Sequence, residues 1–477
     1  MKLFVIWGAK GPEMKILLDT LTRAGHTIPY WVGEWGAAQY TPLGTVFHDH
    51  YDAWQGKPAR DINANDFPPP SSALIESLRD VESITLTMMD KGFDAVCVDE
   101  RRNVYYDMVR YWHGILERYA PEAIVFPAVP HTVYNYILYH LAKRKGIPTL
   151  MFEQTWVEDR LLRYWDYEGG NRELQKALKK YQNIPVASIT LPEDLQKYIS
   201  AQRSSNSVPW YMLGQHKLNS FGRKLRVRAR AALQGIARGS IFSDLWRFIR
   251  KYLGPNLVRE YRGIMRSPQW DAPFVYAPLA FQPERTSSPQ AGIFVDQLLM
   301  VETVAASLPP GWRILVKEHP SQWLLRGGIN YTSVRYPGYY RHLAKIANVV
   351  VVPTTTDTFE LIKKCRAIAL ATGTAGWEGL IRGKPVLSFG YPWYRDAAGV
   401  MRVNDTASSR AALKCVQEGY VADPDDAVRF LKSLDDESYR EYVELPWHVQ
   451  GVRLADDIME RFSKNIVDEL AKLPQKD

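Results

Sequence analysis

The chain has 477 residues and a formal net charge of +8, with 46% hydrophobic and 23% charged residues. This is the composition of an ordinary globular protein, so it excludes a disordered, collagen-like or disulfide-stapled chain. The length predicts two large domains or about three of average size. The three cysteines form no CxxC motif, which favours a reducing compartment.

No apolar run approaches the roughly 18 residues that a membrane-spanning helix needs. The N-terminal segment MKLFVIWGAKG has only a short apolar run and no suitable cleavage region. It therefore predicts a first buried strand and not a signal peptide. The expected location is the cytoplasm.

The first 150 residues alternate short apolar runs with helical patterns, which predicts βαβ units around a parallel sheet. The predicted strands are 3–7, 28–32, 95–98, 123–126 and 149–152. The predicted helices are 13–24, 72–89, 104–119 and 132–145. Residues 36–70 are rich in Gly, Pro and Asp and predict a long surface excursion.

The α/β pattern stops near residue 200 and restarts at Ala272. The predicted strands of the second half are 274–278, 312–317, 349–352, 367–371 and 385–389. Its predicted helices are 291–307, 339–347, 358–364 and 376–382, and the chain is mostly helical after Ala407. The simplest architecture is two Rossmann-like doubly wound α/β domains, 1–200 and 271–477, joined by a basic helical insert, 201–270. Ligands of such sheets bind at the carboxyl ends of the strands.

The segment TGTAGWEGL, residues 372–380, follows a predicted strand and opens a predicted helix. Small residues such as Gly373 and Gly376 let an anion approach the backbone, and the N–H groups at a helix start attract phosphate. Glu378 lies four residues beyond Thr374 on the same helix face and could accept hydrogen bonds from a ribose diol. The alternative is a tight turn with Glu378 as an ordinary first-turn carboxylate.

Two further segments follow predicted strands. RILVKEHP ends a strand with Lys317, Glu318 and His319, where a lysine and a histidine could bind phosphate or a sugar carboxylate. Its alternative is a capped strand end with a solvated ion pair. The segment FQPE offers Gln282 and Glu284 after another strand.

The segments FQPE, VKEHP and TGTAGWEGL–GKPVLSFG, in this order, resemble the bacterial capsule and surface-polysaccharide biosynthesis proteins, which include CMP-Kdo-dependent transferases of capsule export systems. The resemblance covers about residues 273–392. It implies a GT-B-like fold with a C-terminal donor-nucleotide domain and an N-terminal acceptor domain. It further implies that His319 contacts the donor phosphate, that Thr374 with Gly373 and Gly376 holds phosphate, and that Glu378 holds ribose.

In the N-terminal half, ionisable residues follow predicted strands. Asp99 and Glu100 follow 95–98, His131 follows 123–126, and Glu153 follows 149–152. A sugar transfer needs a base for the acceptor hydroxyl proton, and each of these residue types can serve. Glu100 and His131 are the preferred candidates, and a structural role is the alternative for each.

Metal chemistry is not expected. FHDHYD groups His48, Asp49, His50 and Asp52, but it lacks helical spacing or a second ligand pair, so a surface loop is the preferred interpretation. No GxxxxGK[ST] P-loop occurs. The acidic pair after Pro424 lies far from the donor motif and does not support a metal-dependent DxD transferase.

Residues 217–266 contain 13 Lys or Arg and two acidic residues, which gives this segment a net charge of +11. The remainder of the chain has a net charge of −3. Apolar residues recur there at helical spacing between basic flanks, which is typical of a helix lying on an anionic membrane. The stripe comprises Ile241, Leu245, Phe248, Ile249 and Tyr252. The alternative is two helices packed on the α/β body. Nucleic acid is not an expected partner, because no recognition motif accompanies the charge.

The sequence therefore predicts a metal-independent glycosyltransferase that moves a sugar from a nucleotide-activated donor, with CMP as the expected nucleotide, to a surface polysaccharide or glycolipid. No cofactor is expected, since the nucleotide sugar is a substrate. Peripheral attachment to the inner face of the plasma membrane would follow from the basic insert. The alternatives are a nucleotide-sugar epimerase of the same fold and a non-catalytic polysaccharide-assembly or membrane scaffold.

Overall fold

The computed structural model describes residues 1–9, 11–93, 96–204, 256–282, 284–323, 335–443 and 455–474, together with six single residues between 205 and 255. Contacts divide the chain into two compact units. The first unit comprises Met1–Tyr181 and Lys432–Asp477, and the second comprises Gln182–Leu431. This division differs from the predicted domain boundaries, because residues 182–200 pack with the second unit and the C-terminal segment packs with the first.

The strands are β1 (Lys2–Ile6), β2 (Thr27–Gly33), β3 (Val46–Asp49), β4 (Ala123–Val125), β5 (Thr149–Gln154), β6 (Arg160–Tyr164), β7 (Phe274–Pro278), β8 (Arg313–Lys317), β9 (Val349–Val351), β10 (Ala367–Leu370), β11 (Val386–Ser388), β12 (Val400–Arg402) and β13 (Tyr439–Arg440).

The described α-helices are α1 (Glu13–Arg23), α2 (His50–Trp54), α3 (Ser72–Ser77), α4 (Arg79–Met88), α5 (Val98–Tyr119), α6 (Val133–Arg144), α7 (Arg172–Tyr181), α8 (Glu193–Ser204), α9 (Leu257–Ile264), α10 (Gln297–Ala305), α11 (Tyr339–Lys345), α12 (Thr358–Lys364), α13 (Thr374–Leu380), α14 (Thr406–Gln417), α15 (Pro424–Glu437) and α16 (Ala455–Leu470).

The first unit contains a seven-stranded sheet in the order β13-β6-β5-β4-β1-β2-β3. Strands β1 to β5 are parallel, whereas β6 pairs antiparallel with β5 and β13 pairs antiparallel with β6. Because the chain moves outward from β1 in both directions, the strand order reverses between β1 and β4. Reversal points of this kind open a crevice at the carboxyl ends of the strands.

The C-terminal helix α16 packs on α1 and completes the core of the first unit. Phe462 contacts Trp7 and Phe152, with ring centroids 5.4 and 4.6 Å apart. At the edge of the sheet, the fully buried guanidinium of Arg160 donates from Nη2 to Oδ1 of Asp435 at 2.7 Å. The last part of the chain is therefore an integral part of the N-terminal unit.

The second unit contains a six-stranded, all-parallel sheet in the order β12-β11-β10-β7-β8-β9. Read from β9, this is the doubly wound order of a Rossmann fold, with its reversal between β7 and β10. The interior strands are apolar on both faces, as parallel sheets covered by helices require. The predicted α/β class with two Rossmann-like units is confirmed.

Two predicted elements of the first unit are wrong. Residues 95–98 were expected to form a strand, but Val98 begins α5, and the acidic Asp99 and Glu100 in its first turn favour a helix start. The predicted excursion 36–70 contains β3, which pairs with β2. Phe47 of β3 packs edge-on against Trp31 at 5.1 Å, so tertiary packing outweighs the turn-rich composition there.

Most of the predicted basic insert, including Ile241, Phe248 and Tyr252 of the apolar stripe, lies outside the described residues. Between residues 205 and 255, the six described residues are helical and exposed: Ala229, Leu233, Phe242, Leu245, Trp246 and Ile249. Leu245 and Ile249 belong to the stripe and are 51% and 37% exposed. Across the part of the chain that the structure describes, every helix is too short or too polar to cross a bilayer.

Candidate functional site

The reversal point of the second sheet is closed on one side by the loop that follows β7. The hydroxyl of Thr372, after β10, donates to the carbonyl of Thr286 in this loop. The amide of Tyr391, after β11, donates to the carbonyl of Gln290 at 2.8 Å. A Cβ at Gly390 would lie 2.6 Å from that same carbonyl, so only glycine allows the close approach. The carboxyl ends of β7, β10 and β11 thus form one continuous edge.

Lys317 ends β8 and points into the protein. It is 5% exposed, and its Nζ donates to the carbonyl of Thr356 at 2.7 Å and to Oγ1 of Thr358 at 2.6 Å. Burial lowers the pKa of Lys317 to about 8, although the carboxylates of Asp357 and Glu378 oppose the shift. The lysine therefore ties β8 to the start of α12 and places a positive charge beneath the edge.

Glu318 is completely buried and holds structure together. Its carboxylate accepts two hydrogen bonds from the guanidinium of Arg335, at 3.0 and 3.3 Å, and one from the hydroxyl of Tyr340 at 2.7 Å. The same carboxylate accepts the amide of His319 at 2.7 Å. Four donors of this kind satisfy a buried carboxylate and fix the chain just before His319.

Gln282 belongs to the same buried network. Its Oε1 accepts from Arg335, and its Nε2 donates to the carbonyl of Val295 at 2.7 Å. Its backbone exchanges two hydrogen bonds with the side chain of Gln322. Glu284, by contrast, is exposed, and its Oε2 accepts from the hydroxyl of Thr286 at 3.3 Å. Of the two FQPE residues, Gln282 shapes the loop and Glu284 faces solvent.

His319 is half-buried at the carboxyl end of β8, and its ring packs near Phe281. The amide of Ser321 donates to Nδ1 of His319 at 3.1 Å. Since Nδ1 accepts, the proton of the neutral ring is on Nε2. The structure thus gives His319 the tautomer that can donate a hydrogen bond to an anion.

The two glycines of the TGTAG segment have different surroundings. A Cβ on Gly376 would collide with the hydroxyl of Tyr394 and lie 3.1 Å from Leu370, so this glycine serves packing. A Cβ on Gly373 would meet no described atom within 4 Å. The hydroxyl of Tyr394 donates to the carbonyl of Gly373 at 2.5 Å and fixes the turn into α13, which begins at Thr374.

Glu378 is 8% exposed. Burial raises the pKa of Glu378 to about 7, although the positive charges of Arg382 and Lys317 oppose the shift. Its carboxyl group therefore changes protonation in the same pH range as a histidine. The sequence pattern indicated an accessible first-turn carboxylate, and the packing of α13 makes it a buried one.

Sequence reasoning missed two arginines at this edge. The guanidinium carbons of Arg395 and Arg402 lie 5.5 and 5.6 Å from the ring centroid of Tyr391. Arg395 is 8% exposed and Arg402 is exposed at the end of β12. Arg402 forms no ion pair with any residue that the structure describes. Their spacing in sequence carries no recognisable motif, and β12 had not been predicted.

In the first unit, the preferred base candidates take different positions. Glu100, like Asp99, lies exposed in the first turn of α5 and not at the end of a strand. Glu153 is buried within β5, 4% exposed and paired with Leu162 of β6. His131 does follow β4 and precedes α6, beside the reversal point, as predicted.

The ring of His131 has a defined tautomer. Its Nδ1 lies 2.8 Å from the carbonyl of Val129, which can only accept. Nδ1 therefore carries the proton and Nε2 is the basic nitrogen of the neutral ring. This is the arrangement that a general base of this residue type requires.

The FHDHYD segment is not a surface loop, which corrects the sequence interpretation. His48 is 1% exposed, donates from Nε2 to the carbonyl of Lys57 at 2.9 Å, and accepts the hydroxyl of Tyr30 at Nδ1 at 2.7 Å. Asp49 caps α2 through the amides of Tyr51 and Asp52. Among the described residues, no group of three or more His, Cys, Asp or Glu is arranged to hold a metal ion.

The two sheets define an α/β protein with two Rossmann-like units. Residues 285–420 match the model of a family described as "Capsule polysaccharide biosynthesis protein". The match overlaps residues 273–392, whose motifs carry the predicted resemblance, and it confirms that resemblance. No curated protein matches the sequence.

Solved structures that match the chain include a UDP-GlcNAc 2-epimerase from Neisseria meningitidis bound to UDP-GlcNAc, at 12% identity, with 99% of this chain and 100% of that chain covered and a TM-score of 0.27. They also include KpsC of Thermosulfurimonas dismutans as a beta Kdo 2,7 transferase, at 12% identity, with 67% and 79% covered and a TM-score of 0.27. The beta Kdo 2,4 transferase of the same KpsC is 14% identical, with 65% and 79% covered and a TM-score of 0.28.

Proposed function

We propose that the protein is a glycosyltransferase that moves a sugar from a nucleotide-activated donor, with a CMP-linked sugar as the expected donor, to a surface polysaccharide or glycolipid. The observation that carries the proposal is the position of His319 in the family-matched segment. Its Nε2–H lies on a ring at the strand edge where sheets of this order bind nucleotides.

In this proposal the second unit binds the donor. His319 donates to the phosphate, and Gly373 and Thr374 present backbone at the start of α13. Lys317 and the arginines Arg395 and Arg402 add positive potential. Glu378 accepts the ribose hydroxyls. Gln282 and Gly376 act through the packing described above, and Glu284 lies at the rim of the loop.

In this proposal the first unit binds the acceptor and supplies the base. The acceptor oxygen forms a bond to the anomeric carbon of the donor sugar while the bond from that carbon to the phosphate oxygen breaks. The acceptor proton passes to the base, and the nucleotide leaves with the electron pair of the broken bond. His131, with its basic Nε2, is the proposed base, and Glu100 is the second candidate.

Calorimetric titration with a panel of nucleotides and nucleotide sugars tests the proposal. We expect a cytidine nucleotide to bind and a CMP-sugar to be consumed only when a glycan acceptor is present. Epimerisation of a nucleotide sugar without an acceptor would favour an epimerase instead. Binding of no nucleotide at all would leave a non-catalytic assembly protein.

We further propose that the transfer needs no metal ion. Backbone amides at a helix start and cationic side chains can neutralise the leaving nucleotide, which is the task of a divalent ion in other transferases. Activity should therefore survive a chelator. Activity that is lost with the chelator and restored by magnesium or manganese would contradict this part of the proposal.

An anionic membrane surface is the proposed partner of residues 217–266. The +11 charge of this segment supports the proposal, and each Lys or Arg near such a surface contributes about 1 kcal/mol. The exposed Leu245 and Ile249 would add buried apolar area. The protein should sediment with anionic vesicles, less at high salt, and hardly with neutral ones. Equal behaviour on both vesicle types would exclude this partner and leave the packing alternative.

A further inference from the structure

Two large aromatic side chains lie exposed at the carboxyl edge of the first sheet. Trp35 follows β2 and Tyr51 follows β3 in α2, and each is 53% exposed. Gly33 and Asp49 are paired across β2 and β3, so both rings leave neighbouring strands at the same level. Single exposed apolar residues are ordinary, but two large aromatic rings at neighbouring strand ends indicate a binding surface.

His50 lies beside this pair and is held from three directions. Its Nδ1 lies 2.8 Å from the hydroxyl of Tyr134 in α6, and its ring packs edge-on against Tyr51 and Trp54 at 5.3 and 5.8 Å. A Cβ on Gly8, just after β1, would lie 2.9 Å from the His50 ring. The glycine thus makes room for the imidazole at the reversal point between β1 and β4.

The chemistry of these groups matches a carbohydrate. Burial lowers the pKa of His50 below its usual 6.5, partly offset by Asp49, so the ring is neutral near neutral pH. Because Tyr134 engages Nδ1, Nε2 is the nitrogen that can hydrogen-bond a hydroxyl, as donor or acceptor according to the tautomer of the neutral ring. A pyranose ring presents apolar C–H faces, which pack on aromatic rings, and hydroxyls at its rim, which need such partners.

We propose that Trp35, Tyr51 and His50 form the subsite for the carbohydrate acceptor, with one sugar ring packed against the aromatic pair and one of its hydroxyls bonded to His50. The role of the bound sugar as an acceptor rests on the proposed glycosyl transfer. Sugar binding at this edge is independent of that proposal, because every group involved belongs to the first unit.

Fluorine NMR of protein labelled with 5-fluorotryptophan tests the subsite directly, since the Trp35→Phe variant identifies the Trp35 signal. Maltotriose and trigalacturonate serve as neutral and carboxylated probes. We expect the Trp35 signal to shift in a saturable manner with at least one of them, at millimolar concentration. The Tyr51→Ala variant should weaken this binding about tenfold, whereas Tyr51→Phe keeps the ring and should stay within about threefold of the parent.

Control variants separate the subsite from nonspecific sugar binding. Tyr420→Ala removes an aromatic ring that is 42% exposed in the second unit, and it should leave the titration unchanged. His50→Asn keeps a hydrogen-bonding group toward Tyr134 and should weaken sugar binding while near-UV circular dichroism stays that of the parent. No shift of the Trp35 signal with either sugar, or equal affinity of Tyr51→Ala and the parent, would overturn the proposal.

The same samples are titrated with CMP by calorimetry, which reports on the second unit. CMP binding without a sugar-induced shift at Trp35 overturns the acceptor subsite and leaves the proposed function. A shift at Trp35 without nucleotide binding supports the sugar subsite and overturns the proposed glycosyl transfer.

Discussion

Glu318 and Arg335 form an ion pair that is buried on both sides, with 3.0 Å between Oε2 and Nε. Seventeen residues separate them in sequence, and their pairing anchors the chain immediately before His319. The adjacent residues of the EHP motif therefore have different tasks. Glu318 maintains the loop, and His319 is presented at the edge.

Glu318→Gln should destabilise the protein by about 3–5 kcal/mol, because it leaves the guanidinium of Arg335 buried without a countercharge. Urea unfolding followed by circular dichroism measures the loss. The matched control is Glu360→Gln, which removes one member of the exposed pair with Lys364 and should cost no more than about 0.5 kcal/mol. Equal effects of the two variants would contradict the structural role of Glu318.

His319→Ala should weaken binding of a cytidine nucleotide by about 1.5–3 kcal/mol, the usual loss for a hydrogen bond to a charged group. His319→Gln retains an N–H near the position of Nε2 and should recover part of the loss. Calorimetry measures both, with the exposed His342→Ala as control. Unchanged affinity in a folded His319→Ala variant would place the nucleotide elsewhere.

Substitutions of the two glycines of the TGTAG segment should have different effects, one on stability and the other on nucleotide binding. Gly376→Ala forces a methyl group against Tyr394 and should cost about 1–3 kcal/mol of stability. Gly373→Ala meets no described atom and should leave stability nearly unchanged while weakening nucleotide binding. Thermal unfolding and calorimetry together distinguish these outcomes. A Gly373→Ala variant with full affinity would remove that backbone from the phosphate site.

Glu378→Gln should change how stability depends on pH. The folded protein keeps the carboxyl protonated up to a pKa of about 7, whereas the ordinary value is 4.5. The folded state therefore binds more protons between these values, and the contribution of Glu378 to stability falls as the pH rises through this window. The amide of the variant does not titrate. As the pH rises from 4.5 to 7, the free energy of unfolding of the variant should therefore increase relative to that of the parent by about 1–3 kcal/mol. Parallel stability curves from urea unfolding would contradict the pKa shift.

The arginines beside Tyr391 should bind anions. Arg402→Gln should weaken binding of CMP about fivefold or more and reduce its dependence on salt, because one cation is removed from the edge. Arg410→Gln, on the exposed side of α14, is the control and should leave binding unchanged. Equal salt dependence in the Arg402→Gln variant and the parent would exclude this role.

Local patterns in the sequence predicted five of the six described strands of the second sheet, all except β12. The strand Phe274–Pro278 and the helix Thr358–Lys364 lie where the sequence pattern predicted them, and in the structure Asp357 caps the helix. The first unit was harder, because β3 is only four residues long within turn-rich sequence and pairs through tertiary contacts. The acidic residues Asp99 and Glu100 indicate a helix start, but the strand prediction followed the apolar run 95–98 instead.

The site was predictable at the level of strand ends but not of side-chain partners. His319 follows its strand as predicted, yet the sequence gives no hint that Arg335 and Tyr340 would bury Glu318. Such partners are set by tertiary packing over long sequence separations. The same applies to His50, whose neighbours are Gly8, just after β1, and Tyr134 of α6.

The packing of α16 on α1 has a consequence for biosynthesis. During synthesis the strands of the first sheet emerge before the second unit, whereas Phe462 and Ile466, which share a core with Trp7 and Phe152, emerge only after it. The second unit can fold while the apolar face of the first still waits for its last helix. The sheet of the first unit is thus synthesised before the second unit, and its core is completed after it.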